Sequence, residues 1–131
     1  MNTKEISDKL NNSRYPFEPD RELMRKAKEN GLVVVFGSSD DLMEFRGAIY
    51  DELGAWDGAT AYVNKNGIFE GTDCEKCLER RDKEYMKIEQ VWGGLDGYSW
   101  NYKTDVPHET FEILDGDENY CRGIVFSIDD L

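Results

Sequence analysis

The sequence predicts an α+β domain, with an N-terminal helix packed on a mostly antiparallel sheet of five to seven strands. Three observations carry that reading. An early amphipathic segment has helix signals at both ends. One continuous β-branched run, Leu32-Val33-Val34-Val35-Phe36, stands between Gly31 and Gly37. Beyond Ala59, short apolar or alternating stretches recur between Gly- and Asn-rich breaks. No repeat or linker divides the chain. Residues 1–131 are therefore read as one domain, with 1–16 as a loosely attached arm.

The elements follow in order. Ile6 and Leu10, at i and i+4, allow a short helix over residues 3–10, and Asn11-Asn12-Ser13 breaks it. Asp20 caps a better helix with Glu22 in its first turn. Leu23, Met24 and Ala27 give its apolar face, Lys26 and Lys28 suit its C-terminal end, and Asn30-Gly31 stops it. Residues 32–36 lack alternation, as a strand buried on both faces should. Residues 38–54 fit either a helical stripe (Leu42, Phe45, Ile49, Leu53) or a strand, with Gly47 a weak point for both. Ala59 to Val63, Asn64-Lys65-Asn66-Gly67 and Ile68-Phe69 read as a hairpin, because Asn-Gly suits a tight turn. The charged stretch 73–84 reads as a helical turn or a loop. Tyr85 to Trp92 and Tyr98 to Tyr102 alternate as strands, separated by the loop Gly93 to Gly97. Phe111 to Ile113 is a further strand, turned by Asp115-Gly116-Asp117, and Cys121 to Ile128 is the last.

Charge is the strongest compositional signal. The net charge is −12, from 28 acidic and 16 basic residues. It is concentrated in two segments. Residues 40–57 hold six acids and Arg46, a net −5; residues 105–131 hold eight acids and Arg122, a net −7. Residues 1–30 and 58–104 are close to balance. Such a surface repels phosphate backbones, so direct nucleic-acid binding is disfavoured. It steers instead toward basic protein surfaces, or serves solubility alone. No apolar run approaches the roughly 20 residues of a membrane span. The N-terminus has no apolar signal-peptide core. Three cysteines, an odd number, do not suit a disulfide scaffold. A cytoplasmic setting in a bacterial host is the expectation.

Cys74-Glu75-Lys76-Cys77 has metal-ligand spacing, and His108 and Cys121 are the residues that could complete four zinc ligands. A redox reading requires a strand before the pair and a helix opening at Cys74. Asp73, Glu75 and Glu79 place negative charge near the thiols, which opposes it. Two ordinary loop cysteines are the bland and preferred reading, so no cofactor is expected and zinc is the alternative. His108 could act as a base oriented by Asp105 or Glu109, but a turn histidine touching backbone or carboxylate explains it more simply. No nucleophile arrangement accompanies it. Asp40-Asp41, Asp51-Glu52 and Asp129-Asp130 are carboxylate pairs expected by chance in so acidic a chain. Asp115-Gly116-Asp117-Glu118 lacks the twelve-residue calcium pattern. Gly37-Ser38-Ser39-Asp40 lacks the repeated glycines and lysine of a phosphate loop. Trp56, Tyr62, Trp92, Tyr98, Trp100, Tyr102 and Phe111 suit a binding face or an aromatic pocket, or the core of a small sheet.

Two stretches, Val34-Val35-Phe36-Gly37-x-Ser39-Asp40-Asp41-Leu42-x-Glu44-Phe45-x-Gly47-Ala48-Ile49 and Gly97-Tyr98-Ser99-Trp100-x-Tyr102-Lys103-Thr104-Asp105-x-Pro107-His108, together with Tyr120-Cys121-x-Gly123-Ile124-Val125-Phe126, resemble a group of short phage- and prophage-encoded proteins with no known activity. The resemblance covers about residues 31–131 and implies a mobile-element setting and no functional residue. The function expected is non-enzymatic: an acidic protein that occupies a basic surface of a host nuclease or a defence (CRISPR-like) complex. Asp40, Asp41, Asp51, Glu52, Trp56, Asp57, Asp115, Asp117 and Glu118 are its expected contacts, with Trp56 as apolar anchor. The alternatives are a zinc-stabilised adaptor using Cys74 and Cys77, and a small-molecule or nucleotide-signal binder with an aromatic pocket.

Overall fold

The computed structural model describes residues 1–15, 17, 20–36, 60–69, 74–92 and 100–131. Among them are three α-helices and eight strands, two of them only two residues long. The expected α+β architecture is present, with α1 against a mostly antiparallel sheet.

Helix α1 spans Thr3–Leu10. Asn2 caps it in a reciprocal box. Its side chain accepts from Glu5 N at 2.9 Å, and Glu5 accepts from Asn2 N at 3.3 Å. Ile6 and Leu10 face inward and are buried. Ser7, also buried, donates its hydroxyl to the Thr110 carbonyl at 3.1 Å. The segment expected as a loosely attached arm is therefore fastened to the body as far as Tyr15. The reason is the i, i+4 apolar pair, extended by pairing at Ser13–Arg14, strand β1, which runs parallel to β7. Between α1 and β1, Asn12 takes φ 66° to reverse the chain, and Asn11 accepts from Glu112 N at 3.1 Å.

Helix α2, Arg21–Glu29, opens under Asp20, whose carboxylate accepts from Glu22 N and Leu23 N. Met24 and Ala27 are its buried pair. Strand β2, Leu32–Val35, is buried throughout. Its alternate side chains enter two different cores. Leu32, Val34 and Phe36 join Ile6, Leu10, Met24, Phe111 and Val125 under the helices. Val33 and Val35 join Val63, Ile88, Val106, Ile124 and Phe126 on the other face. The absence of alternation in the sequence thus has a physical cause: both faces of this strand are covered.

The remaining strands are β3 (Thr60–Asn64), β4 (Gly67–Ile68), β5 (Met86–Trp92), β6 (Trp100–Thr104), β7 (His108–Asp115) and β8 (Glu118–Ser127). Helix α3, Glu75–Glu84, and a 3₁₀ turn at Ile128–Asp130 complete the elements. The order is β1-β7-β8-β6-β5-β3-β4. Strand β8 is long enough to carry two partners on one edge. Cys121 pairs with Trp100 of β6 near its start, and residues 124–127 pair antiparallel with β2 near its end. Val63 and Ile88, from β3 and β5, share a core with Val33 and Phe126. The β5–β3 ribbon therefore covers the face opposite the helices. On the helical face, Gly123 meets Phe111 so closely that a Cβ there would lie 2.1 Å from the ring.

Two expectations shift in detail. The Asn64–Gly67 hairpin forms, but Lys65 and Asn66 occupy the turn. Asn64 pairs with Gly67, and its side chain accepts from Asn66 N at 2.8 Å. Within the charged stretch, residues 75–84 form a ten-residue helix rather than a helical turn or a loop. Residues 38–54, expected as helix or strand, lie outside the described residues.

Candidate interaction surface

The exposed end of the β7–β8 hairpin gathers most of what this surface offers a partner. Asp115 pairs with Glu118, so Gly116 and Asp117 form a two-residue turn. Gly116 sits at φ 62°, the left-handed region that the first position of such a turn demands. Asp115, Asp117 and Glu118 are all exposed. Strand β1 braces the tip: Tyr15 N donates to the Leu114 carbonyl, and the Arg14 guanidinium donates to the Gly116 carbonyl.

The register then slips. Ile113 pairs with Cys121 while Leu114 pairs with Asn119, leaving Tyr120 as an extra residue on β8. A bulge of this kind re-aims a side chain. Here it brings the Tyr120 ring onto Tyr15, with centroids 4.5 Å apart and planes tilted 44°. Tyr15 is 50% exposed and Tyr120 37%, and among the described residues they are the large hydrophobic side chains that remain exposed. Beside them the Asn119 amide is buried with no hydrogen-bond partner.

The acidic segment 105–131 is contiguous only in sequence. The ten residues of β8 extend for roughly 33 Å at about 3.3 Å each. Asp115, Asp117 and Glu118 lie at one end of the hairpin. Asp105, Glu109, Asp129 and Asp130 lie toward the other, where His108 pairs with Phe126. Between them Glu112 faces Arg122 at 3.7 Å, and Arg122 also donates to Asn101 at 3.2 Å. Two acidic poles with a compensated middle replace the one acidic segment read over residues 105–131. Of the other expected contacts, Asp40, Asp41, Asp51, Glu52, Trp56 and Asp57 lie outside the described residues. Tyr15 and Tyr120 were not anticipated. Tyr120 is re-aimed by the bulge, which no alternation in β8 announces, because Ile124 and Phe126 are out of phase with Cys121 and Gly123 and are still buried. Tyr15 depends on a pairing between residues a hundred apart.

The four thought able to hold zinc are not brought together. Cys121 is buried among Ile6, Leu10 and Phe111 in the core under the helices. Cys74 caps α3, whose Arg81 lies over Tyr62 of β3, three strands from β8 in the sheet order. His108 is exposed, with Nδ1 2.7 Å from the Val106 carbonyl, so that nitrogen carries the proton and the side chain serves the turn. Among the described residues, no group of three or more His, Cys, Asp or Glu side chains is placed to share a metal.

Nor do the described aromatics form one pocket. Phe111 fills the helical-side core, Tyr102 packs against the opposite one, and Tyr62 lies beneath Arg81. A cavity of about 330 Å³ lies between the ends of α1 and α2, lined by Met1, Lys9, Asp20, Glu22, Leu23 and Lys26. Another of about 150 Å³ is lined by Lys87, Glu89, Lys103, Thr104 and Asp105. Both mix charges, and among the described residues neither has an aromatic wall. In the smaller one the Lys87 ammonium is held above its ordinary pKa by its hydrogen bond to Glu89, 3.0 Å away. No family model, curated protein or solved structure matches the chain.

Proposed function

We propose that this chain is a non-enzymatic binding protein that docks on a basic protein surface through the β7–β8 tip. The observation that carries the reading is the exposed Tyr15–Tyr120 ring contact beside three carboxylates. Tyrosine supplies much of the energy of protein interfaces, because it buries a large rigid ring at small entropic cost. Carboxylates at the rim speed encounter with a cationic partner and exclude anionic ones. A net charge of −12 adds long-range steering. Nucleic-acid-binding faces of host proteins have the complementary charge, and a nuclease or defence complex is the partner class this reading favours. The setting it implies is that of a mobile element.

The test is capture of a partner from a bacterial host lysate, followed by association kinetics. Tyr120→Ala should weaken binding by about 2 kcal/mol, mostly through faster dissociation. Charge reversal at Asp117 and Glu118 should slow association several-fold, an effect that shrinks as salt shortens the Debye length below about 10 Å. Affinity untouched by Tyr120→Ala, or association indifferent to salt, rejects the reading.

A further inference from the structure

Helix α3 begins at a cysteine. Cys74 is its N-cap, in extended conformation at φ −70° and ψ 151°, and its Sγ accepts a hydrogen bond from Cys77 N at 3.3 Å. An N-cap is ordinarily an oxygen-bearing side chain. A sulfur in that place faces the Cys77 N–H and the positive end of a ten-residue helix. Of the two sequence conditions for a redox pair, the helix opening at the first cysteine is met; the residues just before Cys74 lie outside the described ones.

The two cysteines are also unequally covered. Cys74 is exposed, and Cys77 is half-buried on the side of α3 that carries Leu78 and Arg81. Arg81 is fixed over Tyr62 at 4.1 Å and Arg80 over Phe69 at 5.7 Å, which anchors that side to the β3–β4 hairpin. Of the three acidic neighbours, Asp73 lies outside the described residues. Glu75 and Glu79 are exposed to water, and Glu79, two residues beyond Cys77, lies on a different face of the helix. The Cys74 sulfur already rests against the amide nitrogen of Cys77. The Cys77 sulfur is three bonds from that nitrogen.

We propose that Cys74 and Cys77 form a redox-active dithiol whose substrate class is a small-molecule or protein disulfide. The Cys74 thiolate attacks one sulfur of the disulfide RSSR, forming a mixed disulfide and expelling RS⁻. The Cys77 thiolate then attacks Cys74 Sγ, closing the Cys74–Cys77 bond and expelling the second RS⁻. Two protein thiols are oxidised to one disulfide, one external disulfide is reduced to two thiols, and the two protein protons end on those thiols. The exposed cysteine acts first and the covered one resolves.

The experiment equilibrates the full chain with mixtures of reduced and oxidised glutathione, traps thiols by alkylation, and measures mass. Oxidising mixtures should remove two alkylation sites together, with a net loss of two hydrogens and no retained glutathione. Cys121, buried in the core, should react only after unfolding. Under reducing conditions the exposed Cys74 should be alkylated about tenfold faster than the half-buried Cys77. Cys77→Ser should instead retain one glutathione on Cys74. Cys74→Ser, which keeps a capping hydroxyl and so the helix, should neither close nor take up glutathione. The proposal is overturned if both thiols stay open to alkylation in the most oxidising mixture. It is equally overturned if the wild-type chain retains glutathione as stably as Cys77→Ser. The wild-type measurement decides alone should Cys77→Ser fail to fold.

Discussion

Helices α1 and α3 are of similar length and are attached to the body in opposite ways. Helix α1 drives Ile6 and Leu10 to full burial and hydrogen-bonds Ser7 to β7. Helix α3 buries no residue at all, and its described anchors are two arginines lying over aromatic rings at the edge of the sheet. Burial of an aliphatic side chain stabilises by about 1.5–3 kcal/mol, whereas an exposed cation–π contact contributes about 0.5–1 kcal/mol. The lesson is that secondary structure and attachment are separate properties. One helix is part of the core, and the other is a local structure resting on the surface, able to open without the domain unfolding.

The largest test of that contrast is a pair of truncations. Ile6→Ala should cost about 3 kcal/mol in urea-induced unfolding, since it leaves a cavity in a closed core. Leu78→Ala, half-covered on α3, should cost under about 1 kcal/mol. Equal costs would erase the distinction. Ser7→Ala should cost about 1 kcal/mol, because it leaves the Thr110 carbonyl without the hydroxyl that now donates to it. Hydrogen exchange sharpens the comparison. Arg81→Ala should raise exchange at α3 amides several-fold while leaving α1 protection unchanged, a change worth about 0.5–1 kcal/mol locally. Loss of protection in both helices would show that α3 is coupled to the core.

The smallest effect concerns α2. Arg25 binds Glu22 and Glu29 together, and its hydrogen bond to Glu22 holds that carboxyl below its ordinary value. A folded-state pKa below the unfolded one stabilises above the unfolded value, and the contribution is lost as pH falls through the folded one. The wild-type chain should therefore lose slightly more stability than Glu22→Gln on acidification below about pH 4.5. The groups are exposed, so high salt should shrink the difference.

Much of the fold was legible because its signals are local. The unbroken run at 32–36 marks a strand buried on both faces, Asp20 and Asn30 bracket α2, and Asp115-Gly116-Asp117 turns the last hairpin. Helix α3 was harder to read, since Glu, Lys and Arg all favour helices but no apolar stripe marks a buried face. Arg80 and Glu84, 4.0 Å apart at i, i+4, support it instead. The candidate interaction surface was half legible. The acids of the tip stand out in the sequence, but their separation from Asp129 and Asp130 is a property of the hairpin's length. The Tyr15 contact needs β1 to find β7, and no periodicity announces a two-residue strand.

Strand β8 pairs with β2 in a register that joins Leu32 to Ser127, ninety-five residues apart. It also lends Val125 to one core and Ile124 and Phe126 to the other. Neither core can close during synthesis until that strand has been made. Up to that moment the four apolar residues of β2 and the inward Phe111 and Ile113 of β7 stand on strands with open hydrogen-bonding edges, the kind of surface that pairs with a neighbouring chain. Contacts of such span make folding slow relative to a helical bundle of the same size. The interval between translation of β2 and translation of β8 is thus the period in which this protein most needs protection from its own kind.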